Sequence, residues 1–304
     1  MLTSSSTAIR IRHSWGRRVV AAARCLVVCG ASPVLAGGVL LFVKTLANGG
    51  DNANDGLTWA TAKATVSAAI ALASADGTQI NVAAGTYNEK VAFPQLDNVQ
   101  MFGGWPAAGV VDGAAPAGLI RDPANNPTIL DGTGLASAAM INIPVAPGGV
   151  DGFEGIIVDG FTLQNGVNST FGAAGIESAS GGVTFRNLII QNCTGSAAFT
   201  GVGGIHLFMP QDAPGQPRIE NCIIRNNNGT KVGGIELEGA LGRQFPYTAR
   251  LINNVIAFNR ATATGAPFNF TTGGVDIFYP ANVLITNNTI AFNTSVEWNP
   301  ASSL

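Results

Sequence analysis

The sequence predicts an all-β solenoid, a parallel β-helix of stacked coils, and three observations carry that expectation. The segment LINNVIAFN at 251–259 returns almost unchanged as LITNNTIAFN at 284–293. A template underlies both: an apolar residue, usually Asn two places on, a second apolar residue five on and a mostly polar position eight on. It recurs from 158 at steps of 27, 34, 32 and 34 residues, and self-similarity at such a period marks stacked repeats. Composition agrees, because 39 glycines and 11% charged residues in 304 suit extended strands better than an ordinary globular domain.

Taken in order, residues 1–36 read as an export signal. Arg10, Arg12, Arg17, Arg18 and Arg24 precede the apolar run CLVVCGASPVLA, no acid occurs before Asp51, and Val34-Leu35-Ala36 offers a small-residue cleavage site. Retention as an anchor is the competing reading, but Ser32-Pro33 and two glycines interrupt a run already marginal for a membrane span. Without the leader, 11 of the 16 Lys and Arg face 18 Asp and Glu. That acidic balance makes nucleic acid an unsuitable partner.

Residues 37–77 are assigned an N-terminal strand and a capping helix. The helix is placed within 58–77, with Thr58 as its cap, Val66, Ile70 and Ala73 on one face and Gly77 as its stop. Such a helix would cover the open backbone of the first coil. The coils occupy 78–304. The template matches Val158-Gly160-Leu163-Gly166, Phe185-Asn187-Ile190-Cys193, Ile219-Asn221-Ile224-Asn227, Leu251-Asn253-Ile256-Asn259 and Ile285-Asn287-Ile290-Asn293. Ile, Val, Phe and Thr alternating with polar residues, broken by Gly and Asn, make these units strands rather than helices.

A second motif recurs between them: AGIES at 174–178, GGIHL at 203–207, GGIEL at 233–237 and GGVDI at 273–277. Each coil therefore holds at least two strands. Stacking would align Asn187, Asn221, Asn253 and Asn287 at a bend, where each amide bonds to its neighbour. Cys193 and Cys222 fall in different columns of successive coils, too far apart for a disulfide, so free buried thiols are expected.

The segment FVKTLANGGDNANDGLTWATAKATVSAAIALASADGTQINVAAGTYNEKV at 42–91, with TILDGTG, VDGFTLQNG and the GGI and NNTIAFN units downstream, resembles bacterial secreted right-handed parallel β-helix proteins of the pectate-lyase-like superfamily. The resemblance spans nearly all of the chain after the leader and implies the right-handed fold. It implies much less about activity, because polysaccharide lyases, glycoside hydrolases, epimerases and surface proteins share that architecture. No lyase or hydrolase motif transfers residue by residue.

Geometry supplies the one candidate site. In the glycine-strand motif the outward residues are Glu177, His206, Glu236 and Asp276, expected to form one solvent-facing column. Neighbouring carboxylates about 5 Å apart suit acid and base chemistry or calcium, so Glu236, Asp276 and His206 are the catalytic candidates and Glu236 and Asp276 the metal candidates. Glu177, Arg243 and Tyr279 are the candidates for substrate binding. The competing view is that the column is simply the polar face of a sheet. No Lys or Arg shares it, which counts against a lyase. The leading functional expectation is a secreted or cell-surface module engaging a polysaccharide or cell-surface glycan, with no membrane span after cleavage. Beside it stand an acidic-polysaccharide-cleaving enzyme and a self-associating structural surface protein.

Overall fold

A computed structural model describes residues 38–107, 121–146, 152–198, 200–210, 215–239, 248–262, 271–278 and 282–296. The expected leader at 1–36, and the substrate-binding candidates Arg243 and Tyr279, lie outside the described residues. The protein is a right-handed parallel β-helix. Its strands pair in four parallel sheets, numbered here in the order in which one coil visits them. Sheet 1 has eight strands, from Leu40–Val43 to Asn282–Thr286; sheet 2 has seven, from Gly85–Tyr87 to Thr289–Ala291. Sheet 3 has five two-residue strands, from Val167–Asn168 to Thr294–Ser295; sheet 4 has six, from Val91–Ala92 to Val275–Phe278.

Register follows the template. Val158, Phe185, Ile219, Leu251 and Ile285 are successive partners in sheet 1. Leu163, Ile190, Ile224, Ile256 and Ile290 are successive partners in sheet 2. Both columns point inward, where all but the last member is fully buried, and this stacked apolar interior drives folding. Ile285 and Ile290 are 44% and 45% exposed because no further coil covers them among the described residues.

Turns at the corners use left-handed backbone. Gly160, Asn187, Asn221, Asn253 and Asn287 all have positive φ between sheets 1 and 2, a conformation that Gly and Asn adopt at least cost. Asn253 donates to Asn221 at 3.3 Å and Asn287 to Asn253 at 2.6 Å, so the expected ladder forms among these three, on the exposed side of the corner, whereas Asn187 donates to Asp159 at 2.8 Å instead. Buried backbone is satisfied instead by two ladders displaced from it. Asn254 donates to the Ile219 carbonyl and to Asn288; Asn227 donates to the Ile190 carbonyl and to Asn259, which donates on to Asn293. These amides sit where the turn would leave polar groups unpaired in the interior. Cys222 and Cys193 head the same two columns, their amides donating to Asn254 and Asn227. Both thiols are free and buried, as expected.

The helix is shorter and later than the sequence suggests, running Val66–Ile70 with Thr65 as its cap, and Thr65 Oγ1 accepts from the Ala68 amide at 3.1 Å. Glu89 supplies the remaining N-terminal acceptors, taking the amides of Val66 and Ser67 at 2.7 and 2.8 Å. Val66, Ala69 and Ile70 are buried against the first strands.

Candidate functional site

Sheet 4 positions the candidate residues. Its glycine pairs are a matter of space: a Cβ on Gly204 would lie 2.3 Å from the Gly234 carbonyl oxygen, and one on Gly234 2.2 Å from that of Gly274. Only glycine lets coils turn this tightly while stacking at about 4.8 Å. On the strands of this sheet Ala92, Asn142, Glu177, His206, Glu236 and Asp276 are register partners in one outward column, the last four each two places after such a glycine. The four candidate residues named from the sequence are thus brought into line.

Solvent exposure differs from the expectation. His206 is 3% and Glu236 2% exposed, with the Phe171 ring beside the first and Lys231 paired with the second. His206 Nδ1 lies 2.8 Å from Glu177 Oε1 and Nε2 lies 3.0 Å from Glu238 Oε2. Burial opposes charge on this imidazole, but the hydrogen bonds from Glu177 and Glu238 and the fields of Glu177 and Glu236 outweigh it, pushing its pKa up to about 10. At neutral pH the ring is an imidazolium donating from both nitrogens. Burial raises the pKa of Glu238 as well, but the His206 hydrogen bond and charge reverse this and hold it below the usual carboxylate range.

The column itself holds no Lys or Arg among the described residues, but Lys231 reaches it from outside. It arrives from the turn before Gly233, pairs with Glu236 and lies 4.3 Å from the centre of the Phe278 ring. Burial nevertheless keeps the Glu236 pKa above its ordinary value, despite His206 and Lys231. Asp276 accepts from Thr272 Oγ1 at 3.2 Å. Ligand-type atoms of His206, Glu236 and Glu238 lie within 4.8 Å of one another. A calcium ion takes six to eight oxygens, and here His206 Nε2 and Lys231 Nζ already contact carboxylate oxygens of Glu238 and Glu236.

Beside this buried network the column opens into a cleft of about 310 Å³, lined by residues including Lys90, Asn142, Asn168, Phe171 and Glu177. Glu177 has both oxygens engaged, Oε1 with His206 and Oε2 with the Ala173 amide at 2.6 Å, and its side chain stays 15% exposed. The side-chain amide of Asn142 is exposed and makes no hydrogen bond among the described residues. Phe171, 59% exposed, forms the rim and meets His206 edge-on at 6.1 Å. Asn168 fixes that rim by donating to the carbonyls of Phe171 and Ala173 and accepting from Thr170. Gly172 suits the position below it through its φ of +76, and a Cβ there would fall 1.9 Å from Glu177 Oε2 and displace that carboxylate. Lys90 spends its three donors on the carbonyls of Ala136, Ala138 and Val167.

Sequence reasoning missed Phe171, Asn142, Lys231 and Glu238. The usable signal was local: NSTFG at 168–172 places an aromatic residue directly before a glycine in the loop feeding the sheet. Of the aromatic residues after the glycine strands, Phe208 and Phe278 flank Glu238 in a second outward column. Another aromatic pair stands elsewhere: Phe258 and Phe292 stack at 5.1 Å with 9° between planes, at the corner that Asn165, Asn192 and Asn226 occupy in earlier coils.

Fold and cleft together define a parallel β-helix whose one sheet carries a buried charge network beside an open cleft of mixed polar and apolar lining. The family described as "Protein of unknown function (DUF1565)", whose model spans residues 47–300, is a parallel β-helix family, and this chain belongs to it. Comparison with curated proteins and with solved structures finds no match.

Proposed function

We propose that the protein is an exported surface or extracellular module that binds a polysaccharide or cell-surface glycan in the cleft on the outer face of sheet 4. The observation that carries this reading is Phe171, an exposed ring on the rim of a floor that offers the Asn142 amide and the Glu177 carboxylate. Sugar rings present an apolar face for an aromatic side chain and hydroxyls for precisely such amides and carboxylates. Calorimetry of the protein with a glycan panel tests it: binding that falls at least about tenfold in Phe171→Ala and Asn142→Ala supports the cleft, and binding unaffected by both places the ligand elsewhere.

Cleavage of an acidic polysaccharide is the second reading, and the observation favouring it is Lys231 beside Glu236. Against it stand the burial of both Glu236 and His206, the engagement of both His206 nitrogens by carboxylates and the pairing of Glu236 with Lys231. Release of unsaturated products or new reducing ends that vanishes in Lys231→Ala or Glu236→Gln would establish an enzyme.

A further inference from the structure

We infer that the cleft selects neutral sugars over uronates, an inference that rests on the glycan-binding reading and adds the ligand's charge class. Among the described lining residues, Glu177 and Lys90 are the ionisable ones. Recognition of a sugar carboxylate needs a cationic donor with hydrogen-bonding capacity left to give. Lys90 has none: an ammonium carries three donors, and all three meet backbone carbonyls. The neighbouring cations are also committed, His206 to Glu177 and Glu238 and Lys231 to Glu236. What remains for a ligand is acceptor capacity on the Glu177 oxygens, which suits hydroxyl donors, and the Asn142 amide, which suits a hydroxyl in either role. A uronate carboxylate there would meet the Glu177 acceptors with no hydrogen to give them and no cationic donor left to receive it, an unpaired polar contact that costs binding in a partly buried site.

Calorimetric titration of the full chain with neutral gluco-, xylo- and manno-hexaoses and with hexagalacturonate and hexaguluronate tests this. The expected result is at least one neutral hexaose binding about tenfold or more tighter than either uronate, a preference that narrows in Glu177→Gln. The comparison of neutral with uronate ligands uses the wild-type protein and stands even if the variant fails to fold. Uronate binding as tight as neutral binding, and equally lost in Phe171→Ala, overturns the charge selectivity while keeping the cleft as a glycan site. No binding by any hexaose overturns both this inference and the glycan-binding reading.

Discussion

Replacing His206 with Gln is the most informative perturbation of this fold. The imidazolium is 4% exposed at its side chain and donates at 2.8 and 3.0 Å to two carboxylates. Its loss leaves Glu177 and Glu238 facing a neutral group, with Glu236 nearby, and removing one partner of a buried ion pair costs about 3–5 kcal/mol. Proton linkage gives a comparable figure. A pKa raised from 6.5 to about 10 corresponds, at about 1.4 kcal/mol per unit, to roughly 5 kcal/mol of stability. Because the folded-state value is the higher one, that contribution is fully present below about pH 6.5 and drains away as the pH rises towards 10. Urea denaturation of wild type and His206→Gln, followed by far-ultraviolet circular dichroism across pH 6 to 10, provides the assay. The wild type should start about 3–5 kcal/mol above the variant at the acid end and converge on it at the alkaline end. Parallel profiles, or a difference below about 1 kcal/mol at pH 6, would refute the charged-imidazole network.

Three further outcomes are expected. Asn259→Ala removes the acceptor of the Asn227 amide and the donor to the Ile224 carbonyl, both inside the stack; it should cost about 2–4 kcal/mol in thermal or chemical denaturation, whereas Asn253→Ala, which loses exposed hydrogen bonds and a residue suited to φ 57, should cost about 1–2. Phe292→Asn exchanges a stacked ring pair for a residue better suited to φ 55, two terms of about 1 kcal/mol with opposite sign, so its melting point should move by only a few degrees. Burial pushes the thiols of Cys193 and Cys222 up to about 12, so a chromogenic disulfide reagent at pH 8 should label neither in the native protein and both after unfolding.

The coil pattern was legible because it is written in strictly periodic letters. Leu251 and Ile285, or Ile256 and Ile290, are partners in the structure because a stacked rung repeats its inward positions at a fixed offset. The column Glu177, His206, Glu236 and Asp276 was legible for the same reason. The helix boundary was not: Thr58 and Thr65 are both plausible caps in isolation, and Glu89, 23 residues beyond Val66, supplies two acceptors at the later one. The second role of asparagine was hidden too. Asn253 and Asn254 are adjacent in sequence, yet one lies on the outside of the corner and the other inside it.

The sequence by itself determined the periodic part of this protein: the parallel coils, the inward apolar columns, the unbridged cysteines and the alignment of four polar side chains on one sheet. Tertiary structure alone decided what those side chains became. The loops before the glycine turns have no common period, and it is they that carry Lys231 onto Glu236 and Phe171 over the edge of His206. They turn an expected solvent-facing column into a buried network with a cleft at one end. Register is set by backbone stacking that every coil repeats, whereas burial and charge at one coil depend on a particular loop meeting a particular neighbour, contacts that no repeat encodes.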